Sequence, residues 1–280
     1  MTTIAASLPL PALDARPWGA HRLFLHTDDA LFDAVGVRIA FTGRAGGASV
    51  GAWEGLNLGT HVKDDPAAVA ENRCRLMDAL GVVGASLIVP NQVHGTNLVD
   101  VDSASADDVE AARAAAQEGA DGIVCGVSNV AALLCFADCL PLVIVSPTGR
   151  FAVAHAGWRG AVAGIAGAAV RRLAHADAAQ GIAPASYNAY IGPYIHVECF
   201  ETGADVAQRF VDAYGADVAP NPRHVDLGRA VATDLVRAGC SPERIADAGA
   251  CTRCNPDVYY SYRASGGVCG RHGAFAIRRK

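Results

Sequence analysis

The chain has 280 residues, 51 % of them apolar, with 23 basic and 28 acidic side chains and a formal charge of −5. Such a composition describes an ordered globular protein with a large buried core. The slight acidic balance excludes a basic nucleic-acid face or an anionic-membrane surface as the main partner. Nine cysteines, an odd number, do not make a complete disulfide framework. No Lys or Arg precedes the first apolar stretch, and Pro9 and Pro11 interrupt it, so no secretory signal is expected. The longest apolar run, 130–145, contains Asp138 and Pro141 and is too short to span a bilayer. The expectation is a cytoplasmic chain with reduced thiols.

Residues 1–30 are expected to form an N-terminal arm, with a single domain over 31–280. A strand over 37–42 runs into a Gly-rich turn at Gly43, Arg44, Gly46 and Gly47. Asp65-Pro66 starts a helix that places Val69, Leu76, Met77 and Leu80 on one face and ends at Gly81. Short strands at 86–89 and 97–101 flank Gln92 and His94. Ser105 and Asp108 make a capping-box pattern before an Ala-rich helix that stops near Gly119. Asp121-Gly122 reads as a turn. Strands are expected at 123–125, 130–136, 142–145, 151–155 and 187–191, with a helix over 161–174. Further helices are expected at 203–214, at 227–238 and briefly after Ser241-Pro242, then strands at 258–262 and 274–277. The pattern is one mixed α/β domain whose strand order stays open.

Three segments join a metal-competent residue to strand-like neighbours: PNQVHG (90–95), CFADCLPLV (135–143) and AVAHAGWRG (152–160). A strand end gives a ligand a rigid platform, because packing holds the side chain. Two imidazoles and a thiolate suit zinc, whose catalytic sites commonly use three protein ligands and leave a fourth position for water. With His94 and His155 neutral and Cys139 ionised, the ion keeps about one positive charge. That charge moves the pKa of a bound water from about 15.7 towards about 7. Taken singly, these residues are commonplace. A strand-end His is usually hydrogen-bonded in the core or at the surface, and a Cys in an apolar strand is usually an inert hydrophobe.

The three segments resemble the signature of the family variously described as multicopper polyphenol oxidase or laccase-domain proteins, purine nucleoside phosphorylases and peptidoglycan editing factors. The likeness continues, in the family's order, through TGRAGGAS (42–49), LNLGTHVKDDPAAVAENR (56–73), IGPYIHVECFETG (191–203), CTRCNPDVYYSYR (251–263) and CGRHG (269–273). Gly43 and Cys269 stand where the family more often has Thr, and Ala264 where a second Arg is common. The resemblance implies a mixed α+β fold, a sandwich with central mixed β-sheets flanked by helices. It also implies one zinc held by His94, Cys139 and His155, phosphorolysis of adenosine, inosine and methylthioadenosine, and adenosine deamination. Expected partners are purine nucleosides and phosphate, with neither nucleic acid nor membrane. The oligomeric state does not follow.

Within that reading, Asp138, beside Cys139, is a candidate general acid or base, or a partner that orients a ligand imidazole. Arg44, with the amides of Gly46 and Gly47, is a candidate phosphate site. Gln92, Arg159, Arg263 and Arg271 are further substrate or phosphate candidates. A laccase-type copper cluster is not expected, because the nine His include no His-x-His pair and Met1 and Met77 are the only methionines.

The rival reading is a metal-free cysteine hydrolase or amidase that edits peptidoglycan precursors, with Cys139 as nucleophile and His155 as base. His196, Glu198, Cys251 and Cys254 echo a zinc deaminase signature but lack its proline. The C-x-x-C at 251–254 has no second C-x-x-C to complete a zinc ribbon, so it is not expected to hold zinc.

Overall fold

The computed structural model describes residues 7–279. The chain runs in order through β1 (Asp14–Trp18), β2 (Leu23–Thr27), α1 (Asp29–Val35), β3 (Val37–Thr42), α2 (Pro66–Ala79), β4 (Ser86–Ile88), β5 (Leu98–Val101) and α3 (Ala106–Gly119). It continues with β6 (Gly122–Cys125), β7 (Val130–Phe136), β8 (Leu140–Val145), β9 (Phe151–Ala156), α4 (Trp158–Val162) and α5 (Ile165–Asp177). It closes with β10 (Asn188–Ile191), α6 (Ala204–Tyr214), α7 (Leu227–Arg237), β11 (Ile245–Asp247) and β12 (His272–Arg278).

The strands form two six-stranded mixed sheets, ordered β1-β2-β3-β12-β7-β4 and β11-β10-β8-β9-β6-β5. The runs in β7, β8 and β9 lack polar alternation because both faces of each strand are covered. The period of two survives as a choice between cores. In β8, Val143 and Val145 join Ile39, Phe41 and Leu134 between the sheets, whereas Leu142 and Ile144 turn to Ile165 and Leu173 of α5 and Leu235 of α7. On the far side of the first sheet, Leu133, Phe275 and Ile277 meet Leu76 of α2. Each such side chain, fully buried, contributes about 1.5–3 kcal/mol relative to exposure. The result is the sandwich of mixed sheets flanked by helices that the resemblance implies.

Local chemistry sets the helix starts. Asp65 accepts from Ala67 N at 2.9 Å ahead of Pro66, and Ser105 accepts from Asp108 N at 3.2 Å. Each cap contributes about 1 kcal/mol. Three local expectations differ from the structure. Of the stretch expected as an arm, residues 1–6 lie outside the described residues, and the remainder contributes β1 and β2, which pair with each other and, through β2, with β3. The helix expected over 161–174 is two helices, α4 and α5, separated at Gly164, whose φ of 79° leaves the helical region. Residues 258–262 form a loop, not a strand: the amides of Val258 and Tyr259 fold back onto Asn255 O, and the buried rings of Tyr259 and Tyr260 anchor the loop inward. The brief helix expected after Ser241-Pro242 is present as one tight helical turn, followed by the short strand β11. Among the described residues, no helix is long and apolar enough to cross a membrane.

Candidate metal centre

The chain passes from the first sheet to the second between β7 and β8, in the three residues Ala137, Asp138 and Cys139. So tight a step forces Asp138 to a φ of 84°. Cys139 stands at the mouth of β8, where Pro141 is the register partner of His155 on β9. His94 comes from the loop after β4 and also has a left-handed backbone, with φ 62°. Two non-glycine residues at positive φ in one site amount to strain of about 1–3 kcal/mol each, which surrounding contacts must offset. The ligand-capable atoms of His94, Cys139 and His155 lie within 4.8 Å of one another. The two imidazole rings are 4.7 Å apart and nearly perpendicular. Gly157 makes this approach possible: a Cβ there would stand 2.4 Å from His94 Nδ1.

Asp121 supplies the contacts that hold the strained loop. Fully buried, it accepts from His94 N at 2.9 Å on Oδ1, and from Gly95 N at 2.6 Å and Val93 N at 3.3 Å on Oδ2. Its Oδ1 also lies 2.8 Å from His155 Nδ1, and its carbonyl accepts from His155 N at 2.7 Å. One carboxylate therefore shapes the His94 loop and fixes the His155 ring, so that Nε2 is left for a ligand. Burial works against its ionisation, but the hydrogen bond to His155 and those from Gly95 and His94 hold its pKa below the usual range. Sequence reasoning missed this residue, reading Asp121 only as the first half of a turn. Its placement immediately before a buried strand was the one available signal.

The pair Cys139–His155 is polarised. Burial raises a thiol, yet the His155 and His94 rings outweigh it and hold Cys139 below its ordinary pKa, towards thiolate. Burial lowers an imidazole, yet the Cys139 and Asp121 charges lift His155 above its ordinary value. A thiolate and two imidazoles, one oriented by a carboxylate, are a donor set compatible with a metal such as zinc. The group opens into a cavity of about 430 Å³, lined among others by His61, Phe136, Ile195, Phe200, Tyr262 and Arg271. Partial burial first, then the nearby Arg271 and Arg73 charges, lower the pKa of His61.

Gln92, Asp138 and Arg263, candidates from the sequence, also line this cavity. The polar atoms of Gln92 and Asp138 are largely engaged. Gln92 exchanges two hydrogen bonds with the Cys135 backbone, at 2.8 and 2.9 Å. Asp138 accepts from Thr252 Oγ1 at 2.6 Å and from Arg263 N at 2.7 Å, so it anchors the 252–263 segment. The orienting role considered for Asp138 belongs to Asp121. Arg44 lies apart from this cavity. It lines a separate depression, donates to the carbonyls of Glu54 and Pro256, and stacks 4.8 Å over the Tyr260 ring. Arg159 likewise stays outside, exposed, with its guanidinium 4.3 Å over Trp158.

Two stacked mixed sheets with a Cys–His–His group at their crossing edge define a β-sandwich protein with a metal-competent pocket. The chain belongs to the family described as multi-copper polyphenol oxidoreductase laccase, whose model matches residues 38–279. It is 33 % identical over 257 residues to the purine nucleoside phosphorylase YlmD of Geobacillus stearothermophilus, covering 88 % of this chain and 91 % of that one. It is 35 % identical over 229 residues to adenosine deaminase RL5 of an unknown prokaryotic organism, covering 79 % and 86 %. The crystal structure of Geobacillus stearothermophilus YlmD superposes with a TM-score of 0.80 at 29 % identity, over 98 % of this chain and 100 % of that one. Bacillus licheniformis YfiH superposes with 0.81 at 26 %, over 92 % and 96 %.

Proposed function

We propose that this chain is a zinc-dependent purine nucleoside enzyme with a single catalytic domain that takes in β1 and β2 together with residues 31–280. Its reactions are phosphorolysis of adenosine, inosine and methylthioadenosine to base and (methylthio)ribose 1-phosphate, and deamination of adenosine by water. The observation that carries the reading is the convergence of His94, Cys139 and His155 in a cavity edged by aromatic and cationic side chains. The names of the relatives support a purine nucleoside substrate.

Bound by the three residues, zinc supplies a Lewis-acid charge of the kind that activates water and polarises oxygen. The chain supplies the rest. Asp121 holds the His155 ring and the His94 loop in position. Phe200 and Tyr262 offer ring faces to a purine, and Arg271, beside His61, offers a guanidinium to phosphate. Arg263 is the second guanidinium of the cavity, and Asp138 positions its loop.

Purified protein incubated with adenosine, with and without phosphate, tests the proposal. Adenine and ribose 1-phosphate are expected only with phosphate, and inosine without it. Arg271→Ala is expected to reduce phosphorolysis about ten- to a hundredfold, the loss of one charge-assisted contact, and deamination much less. Absence of both products from zinc-loaded protein overturns the proposal.

The line Asp121–His155–Cys139, with the thiol held towards thiolate, favours a second reading: a metal-free cysteine hydrolase or amidase acting on peptidoglycan precursors. His94→Ala separates the two, since it spares a Cys–His pair and removes a metal ligand.

A further inference from the structure

We propose a second zinc site, made by Cys199, Cys251, Cys254 and the Glu198 carboxylate, that clips together two loops walling the cavity. The four residues bring one donor atom each to within 4.8 Å of all the others. Cys199 Sγ and Cys254 Sγ are 3.4 Å apart, although 55 residues separate them in sequence. Two thiolates on one tetrahedral zinc, with Zn–S of about 2.3 Å, stand roughly 3.8 Å apart, so small side-chain shifts suffice. Cys251 Sγ receives the His196 N–H at 3.4 Å, a contact that steadies a thiolate. Cys199 and Cys251 are buried against Ile195 and Phe200, while Glu198 and Cys254 close the cluster from the solvent side.

Three thiols in one cluster suit a metal better than a disulfide. Joining any two sulfurs leaves the third unpaired, whereas a thiophilic divalent ion uses all three and takes the carboxylate as its fourth ligand. Four protein ligands and no open position describe a structural site. It therefore differs in kind from the three-ligand group of the cavity. The C-x-x-C at 251–254 looked incomplete in sequence because its third thiol arrives from another loop.

The position of the cluster gives it a task. Tyr194 N donates to Ala250 O at 3.2 Å and Thr252 N donates to Tyr194 O at 2.9 Å, so the two loops already run side by side at Cys251. Thr252, the next residue, donates to Asp138, the neighbour of Cys139. One loop carries Ile195 and Phe200 into the cavity, the other Tyr262 and Arg263. An ion at the cluster fixes both walls at once.

Elemental analysis of the full chain, purified under reducing conditions without chelator, reads the site directly. Wild type is expected to hold two zinc ions per chain, and Cys139→Ser and Cys254→Ser one each. Cys254 is exposed, so its replacement by Ser is expected to leave the fold intact, checked by circular dichroism. Cobalt-loaded Cys139→Ser gives an independent readout: it is expected to show thiolate-to-cobalt charge-transfer absorption, which disappears in Cys139→Ser/Cys254→Ser. A single equivalent that survives Cys139→Ser and is lost in Cys254→Ser supports this site while removing the one in the cavity. A Cys254→Ser variant with wild-type zinc content, or a disulfide within the cluster in alkylated wild type, overturns the proposal.

Discussion

Around Arg44, a glycine-rich turn folds tightly enough that the guanidinium donates to Glu54 O and Pro256 O and covers Tyr260. Around His155, a strand ends against a carboxylate that takes one ring nitrogen and three loop amides, so the other nitrogen faces Cys139 and His94. Both regions hold charged or titratable side chains beside glycines, and both read as functional in sequence. They differ in where the polar atoms end. In the turn the Arg44 guanidinium is taken up by carbonyls of the fold, as an anchor's is. The strand end satisfies the back of each group and leaves the front converging on a cavity, which is the arrangement a ligand requires.

The contrast breaks most sharply at Cys139. Cys139→Ser is expected to remove the metal of the cavity and reduce nucleoside turnover about a thousandfold, equivalent to several kcal/mol of Lewis-acid stabilisation, with the melting curve little changed. Full turnover by a metal-free Cys139→Ser protein would refute the metal reading. Asp121→Asn is expected to weaken metal binding about ten- to a hundredfold, measured by competition with a chelating dye. It is also expected to lower the melting temperature, since an amide NH2 cannot accept from loop N–H groups. An unchanged affinity would mean that the back of the site does not matter.

The anchoring region is expected to respond through stability. His26 is buried, with Nε2 2.7 Å from the Tyr259 hydroxyl, next to the Val258 carbonyl that receives Arg44 N. Burial lowers its pKa to about 4. A His with a depressed folded pKa is neutral in the fold and takes up its proton on unfolding. Its contribution is therefore complete above the unfolded value near 6.5 and lost as pH falls towards 4. Denaturant melts across that window are expected to show a loss of about 2–3 kcal/mol attributable to His26, which His26→Gln abolishes. A slope unaltered in His26→Gln assigns the acid sensitivity elsewhere. Arg44→Ala is expected to cost about 1.5–2 kcal/mol, the loss of hydrogen bonds from one charged group, with phosphorolysis and deamination falling together. A selective loss of phosphorolysis at unchanged stability would return Arg44 to the phosphate role.

The strands that build the site were legible because apolar runs such as 130–136 and 151–155 have few other uses. The three metal-competent residues stood out as polar interruptions at the ends of such runs. Asp121 was not legible, because its partners 93–95 and 155 come together only when β6 lies beside β9. Cys199 escaped for the same reason, since nothing local relates it to 251–254. Residues 258–262 misled because buried aromatic side chains in a loop carry the same composition as a strand. That the Arg44 guanidinium meets Glu54 O and Pro256 O was not legible either, because sequence shows which donors a turn has and not which carbonyls take them.

The order of strands also carries a consequence for how the molecule is made. β12, the last strand in chain order, lies in the interior of its sheet, pairing Phe275 with Ala40 on one side and with Leu133 on the other. Until residues 272–278 have emerged and docked, β3 and β7 are two separate edges with apolar flanks and no partner between them. Closure of that sheet is thus a late, long-range event, which slows folding and lengthens the exposure of sticky edges. Lost from a nascent chain, those seven residues would leave the first sheet as two unconnected halves, and with it the platform from which Cys139 steps across.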